Sequence, residues 1–162
     1  MNSALGLFTA FHTIVSVVAI LVGIEAVRGL FHGRTRSAVM TAFLVVAIVT
    51  TVTGFMFPYH GFTPAIGVGI IALLVLAWAL FAQRRAARFT GSGAQFAVAI
   101  VVSEYLLVFV LVAQIFAKLP ALSALAPNIK QPLFGAVQLI VLIAFAVIAT
   151  RAARVFRARV AA

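Results

Sequence analysis

Five long apolar stretches follow one another along this chain and leave little room for anything else. They cover residues 4–31, 37–57, 63–82, 94–119 and 132–155. About 20 consecutive apolar residues form a helix that crosses the hydrocarbon core of a bilayer. Because lipid offers the backbone no hydrogen bonds, we expect each stretch to span as a helix. The sequence therefore predicts one all-α membrane domain over residues 1–162, a compact bundle of five transmembrane helices.

Basic residues give these predicted helices an orientation. The chain contains 12 Lys or Arg residues and 2 acidic residues, for a net charge of +10. Every arginine lies in the first break, the third break or the tail, whereas the opposite side receives only Lys118 and Lys130. Arginine-rich segments stay in the cytoplasm, so the amino terminus is predicted outside and the carboxyl terminus inside. Anionic lipid headgroups then explain the charge, and we expect no nucleic-acid partner.

A single acidic residue is predicted deep in the membrane. Glu104 lies about 15 Å into the fourth span at 1.5 Å per residue. It could relay protons, bind a cation, or act as a neutral carboxyl that hydrogen-bonds one helix to another. The other acidic residue, Glu25, precedes Arg28 by one helical turn, and this spacing predicts an ion pair on the helix surface.

Several polar side chains are predicted in the outer half of the bundle. His12 shares one helix face with Thr9, Ser16, Ala19 and Gly23, and this face is expected to pack against protein. We predict an outward-facing polar pocket from five residues at similar depth: His12, Thr50, Thr53, Gln114 and Gln138. The alternative is that these side chains only join helices by hydrogen bonds.

A redox cofactor is a second possibility for the outer half. A haem b takes one or two histidine axial ligands, and His12 could pair with His60 from the outer turn. A quinone held between the helices is the other cofactor considered. The chain contains no cysteine, so thiolate metal sites and disulfides are excluded.

The outer loop between the fourth and fifth spans is too apolar for a solvated linker. It runs from Pro120 to Gln131 and contains Leu122, Leu125 and Ile129. We expect it to form a short helix on the outer surface or to cap the bundle. Pro132 is then predicted to begin the last span, because proline is favoured at the first position of a helix.

Two short motifs and a longer stretch support a resemblance to a known group. Residues 53–58 read Thr-Gly-Phe-Met-Phe-Pro, residues 61–64 read Gly-Phe-Thr-Pro, and matching positions continue from Phe109 to Gln138. In these the chain resembles an uncharacterised family of small multi-pass bacterial membrane proteins. It departs from that pattern at Leu107, where an asparagine is expected, and at 128–130, where Asn-Ile-Lys replaces a more acidic loop. The resemblance implies a bacterial inner-membrane protein and supplies no activity.

These observations favour a non-enzymatic function. No set of nucleophile, base and orienting group is recognisable in the sequence, so we assign no catalytic residues. We expect an inner-membrane protein that binds a small ligand or a partner subunit through the outer polar pocket, as a homo-oligomer or within a larger membrane complex. Electron transfer by a haem or quinone, and transport or proton conduction at Glu104, are the alternatives.

Overall fold

The structure, a computed structural model, describes residues 3–58, 61, 63–86 and 91–161, with the side chains of 159–161 left out. Over these residues the regular structure is entirely helical. In chain order the helices are α1 (Ser3–Phe31), α2 (Ala38–Gly54), α3 (Pro64–Ala86), α4 (Ser92–Lys118), α5 (Pro120–Ser123) and α6 (Pro127–Ala161). The predicted all-α architecture is thus observed, as an assembly of long apolar helices.

Four of the described helices, α1, α3, α4 and α6, are long and apolar enough to cross a membrane. The helix α2 is equally apolar but has 17 residues and ends at Gly54, short of the predicted 37–57. Its length is about 26 Å, compared with about 30 Å of hydrocarbon. It ends because the amides of Phe55 and Met56 donate to carbonyls only three residues back, which turns the chain.

Local sequence signals build the turn between α1 and α2. Gly33 adopts a positive φ of 67° just after α1, and its amide donates to the Leu30 carbonyl. The next amide, that of Arg34, donates to the Gly29 carbonyl, which completes a Schellman motif. The Ser37 hydroxyl then accepts from the Met40 amide and caps the start of α2.

The start of the last helix differs from the prediction. The loop does contain a short helix, α5, but α6 begins at Pro127 and encloses Pro132. The Ala126 carbonyl accepts from the amides of Ile129 and Lys130, so the helix is already formed before Pro132. Pro132 is tolerated in the second turn because its missing N–H removes only one hydrogen bond near the helix end.

The helix α4 is the centre of the assembly. It packs against α3, α6 and α1, while α1 also packs against α2. Its buried face combines Phe96 and Ile100 with small residues such as Ala97 and Ala99. Large aliphatic side chains on the other helices, including Leu74 and Ile140, remain exposed outside the bundle. Exposed apolar faces of this extent fit a lipid environment rather than water.

Gly23 permits the close approach of α1 and α4. It is buried, and a Cβ atom there would overlap the Glu104 carboxyl group. The same Cβ would lie 2.7 Å from Cε2 of Phe43 on α2. Three helices therefore meet at a position that has no space for a methyl group.

We expect Gly23→Ala to lower the free energy of unfolding by about 1–3 kcal/mol, because an added methyl overpacks this junction. Gly6→Ala on the same helix is the matched control, since no side chain lies within 4 Å of its Cβ. Denaturant unfolding in detergent micelles measures both changes. Equal effects of the two substitutions would contradict the tight junction.

Candidate functional site

A groove of about 320 Å³ lies between α1, α4 and α6. Its aliphatic lining comes from Ile20, Ile24, Val27, Val108 and Ile148, and aromatic rings are added by Phe31 and Phe145. The charged residues of the lining are Glu104 and Arg28. A small apolar cavity with very few polar groups is typical of a site for a small organic molecule.

Glu104 contributes side-chain carbon atoms to the wall of this groove, and its carboxyl oxygens are buried behind that wall against Gly23. Its side chain is 2% exposed, and neither carboxyl oxygen has a hydrogen-bond partner among the described residues. The neighbouring hydroxyl of Ser103 donates to the Ala99 carbonyl of its own helix at 2.9 Å. Gly23, the glycine beside the carboxyl group, is about 12 Å along the axis of α1 from its last residue.

An unpartnered carboxyl group in this position has few stable states. Burial of an ionised carboxylate without a partner is costly in protein and more so in lipid. The group must therefore hold a proton or meet a donor or cation that enters the groove. The interhelical hydrogen bond considered above as a structural role for Glu104 is not formed by any described residue.

Arg28 lies where the groove approaches the end of α1. Its guanidinium forms the predicted ion pair with Glu25, with 2.7 Å between Nη1 and Oε1. The side chains are 71% and 56% exposed, so the pair adds little stability. Its consequence for the groove is electrostatic, because the Glu25 carboxylate offsets the charge of Arg28.

The outer part of α1 contacts α2 through His12. Its Nδ1 lies 2.8 Å from Oγ1 of Thr53, and the Thr53 hydroxyl is 2.8 Å from the Val49 carbonyl. With the hydroxyl proton directed to that carbonyl, the threonine oxygen accepts from the tautomer of His12 that carries its proton on Nδ1. The Phe57 ring stands edge-on to the imidazole, with 5.2 Å between centroids. The structure thus brings His12 and Thr53 together.

Among the remaining outer residues, Thr50 lies one turn before Thr53, and its carbonyl is 3.1 Å from the Thr53 hydroxyl. Thr50 is buried, and its hydroxyl has no partner among the described residues. Gln138 is also buried and donates from Nε2 to the Phe109 carbonyl at 3.0 Å, which joins α6 to α4. Gln114 is exposed. None of these outer residues lines the groove at Glu104.

The haem hypothesis involves a residue that is not described. His60, the expected partner of His12, lies outside the described residues. Within the described part of the chain, no three His, Asp or Glu side chains come together as a metal site. A pair of histidine ligands at the outer turn stays a prediction.

The groove itself was not evident from the sequence. The aliphatic residues of α1 that line it recur at helical spacing, but lipid-facing residues show the same pattern. Gly23 was placed on the packed face with Ala19, and both are buried. The buried face opposite Glu104 could therefore be found from small residues, whereas the cavity beside it could not.

Comparison with known proteins adds no functional assignment. A scan for known protein families finds no match, and searches of curated proteins and of solved structures find none either. The functional argument therefore depends on the geometry of the groove and of Glu104.

The contact between His12 and Thr53 predicts energetic coupling between α1 and α2. In a double-mutant cycle of His12→Phe and Thr53→Val, we expect about 0.5–1 kcal/mol of coupling in the free energy of unfolding. Thr51→Val is the control partner, because its hydroxyl donates to the Ala47 carbonyl within α2. Additive effects of His12→Phe and Thr53→Val would show that the hydrogen bond does not stabilise the bundle.

Proposed function

We propose that this protein is a non-enzymatic, five-span protein of the bacterial inner membrane that binds a small, mainly apolar organic ligand in the groove at Glu104. The amino terminus lies outside and the carboxyl terminus in the cytoplasm. The observation that supports this proposal most is the unpartnered, buried carboxyl group of Glu104, which lies directly behind the wall of an apolar groove.

The lining of the groove favours an organic ligand over a metal ion. Hard cations such as Ca²⁺ and Mg²⁺ require about six or more oxygen ligands. Among the described lining residues, Glu104 alone supplies side-chain oxygens. A molecule with an apolar body and one polar centre suits this groove. Its body contacts aliphatic and aromatic side chains, and its polar centre meets the carboxyl group once the Glu104 side chain turns from Gly23 into the groove.

The position of the groove favours entry from the bilayer. It lies between α1 and α6, two helices whose apolar side chains are largely exposed around the bundle. A ligand dissolved in the hydrocarbon core would reach Glu104 without crossing a polar barrier. The ligand site in this proposal is deeper than the predicted outer polar pocket. In that part of the bundle Thr50 and Gln138 retain unpartnered oxygens, and Gln138 also joins α6 to α4.

Dicyclohexylcarbodiimide tests the groove, because it is a small apolar molecule that reacts with protonated carboxyl groups. We expect it to modify Glu104 in membrane vesicles, measured as a mass increase on a peptide from α4. A water-soluble carbodiimide should leave Glu104 unmodified. Absence of Glu104 modification in vesicles, with modification after unfolding in detergent, would refute an accessible groove.

Filling the groove should protect Glu104 from the same reagent. Val108 lines the groove, so Val108→Trp is expected to slow modification by at least about tenfold, or 1.4 kcal/mol. Val110 is 36% exposed on the same helix and does not line the groove, so Val110→Trp is the matched control. Equal rates of Glu104 modification in the two variants would show that the reagent does not reach Glu104 through the groove.

Single cysteines test the five spans, because the natural chain has none. Ser123 is exposed on α5, and Ser123→Cys is expected to react with an impermeant maleimide added outside intact cells. Arg36 is exposed in the turn between α1 and α2, and Arg36→Cys should react only after the cells are opened. Reaction of both cysteines from one side would contradict the proposed topology.

A further inference from the structure

We infer that the groove takes a lipophilic organic cation in exchange for the proton of Glu104, an inference that rests on the proposed function. The observation behind it is that one buried acidic group lies behind a groove wall that is apolar and aromatic apart from Arg28, which is paired with Glu25. The inference adds the charge of the ligand and the coupling of its binding to a proton.

A positively charged ligand best complements the charge of this site. When ionised, Glu104 supplies one negative charge, and its oxygens have no described partner that would offset it. A cation beside the carboxylate forms a neutral pair, which removes most of the cost of burying either charge alone. An anionic ligand would instead meet a carboxyl group on an apolar wall.

The other charged and titratable groups around Glu104 do not neutralise its negative charge. On α1, Arg28 is paired with Glu25. On α4, the Tyr105 ring packs against Phe109 of its own helix and Phe145 of α6. The described contact from α2 is the Phe43 ring, which lies close to Gly23 beside the carboxyl group. The described charged residues of α3 are Arg84 and Arg85 in its last turn. On α6, Arg151 follows the lining residue Ile148 by about one turn and is exposed.

The aromatic side chains of the lining favour an organic cation further. Phe31 on α1 and Phe145 on α6 both line the groove. The face of a phenyl ring attracts a cation, and the attraction is stronger where water is excluded. A weakly hydrated cation, such as a quaternary ammonium or phosphonium, loses the least hydration free energy when it moves from water to such a wall.

Charge and proton balance define the exchange. The free site holds a neutral carboxylic acid. When the cation binds, the Glu104 side chain turns from Gly23 into the groove, its O–H bond breaks, the proton leaves to the solvent, and the carboxylate pairs with the cation. The net charge of the groove is unchanged, so one proton is released for each cation bound. Because protons compete for the same carboxyl group, cation affinity must fall as pH is lowered.

The test uses two probes of nearly equal shape and different charge. Methyltriphenylphosphonium is a cation, and triphenylphosphine oxide is its neutral analogue with a hydrogen-bond acceptor. Calorimetric titration of the purified protein, in buffers of different ionisation enthalpy, measures affinity and proton release together. We expect the cation to bind at least about tenfold more tightly than the oxide and to release about one proton.

The two acidic residues of the chain provide matched variants. Glu104→Gln should abolish proton release and weaken cation binding by at least about tenfold. Glu25→Gln keeps the Glu104 carboxyl group and should retain release of about one proton, while the charge of Arg28, no longer offset, weakens cation binding. The pH dependence of cation affinity in the natural protein keeps the inference testable even where Glu104→Gln folds poorly.

The outcomes separate this inference from the proposed function. Equal or tighter binding of the oxide, without proton release, would show that Glu104 donates a hydrogen bond to a neutral ligand, such as a quinone, and would overturn the exchange. Failure of both probes to bind, with Glu104 still modified by dicyclohexylcarbodiimide, would also overturn it and leave the groove intact. Loss of that modification would refute the proposed function itself.

Discussion

The absence of hydrogen-bonding partners in lipid is the constraint on which the rest of this structure depends. It requires every apolar stretch to satisfy its own backbone, and the helix is the form that does so within one segment. It also makes each intramembrane polar side chain costly unless another group satisfies it. His12 meets this requirement through a contact with α2, and Gln138 meets it through Nε2 only, because its Oε1 has no described partner. Glu104 does not meet it through any described residue.

The junction at Gly23 explains how an unsatisfied carboxyl group can lie at the centre of the bundle. Tight packing against Gly23 and Phe43 holds the Glu104 side chain, while α6 leaves a groove on its other side. Stability and function would then compete at this position. An apolar residue in place of Glu104 would stabilise the bundle by removing an unsatisfied buried polar group, but it would also remove the group proposed to bind the ligand. Retention of a costly polar side chain in membrane is a general mark of a functional site.

Much of the fold was predictable from local signals, and the candidate site was predictable only in part. The ion pair of Glu25 with Arg28 follows from helical spacing and is observed. The start of α6 at Pro127 was missed, because two prolines compete for the same role and only the hydrogen bonds of Ala126 distinguish them. The outer residues were expected to converge, but equal depth in the membrane does not determine which helices are neighbours.

The sequence by itself determined that this chain forms long apolar helices separated by short breaks, and that one acidic residue lies far from any basic one. These properties depend on neighbours along the chain, so hydropathy and turn chemistry are sufficient to find them. Only the tertiary structure decided that Glu104 faces Gly23 and an open groove. In lipid, packed and lipid-facing surfaces are both apolar, so hydrophobicity cannot indicate which faces meet, and that choice depends on the fit of side chains between helices.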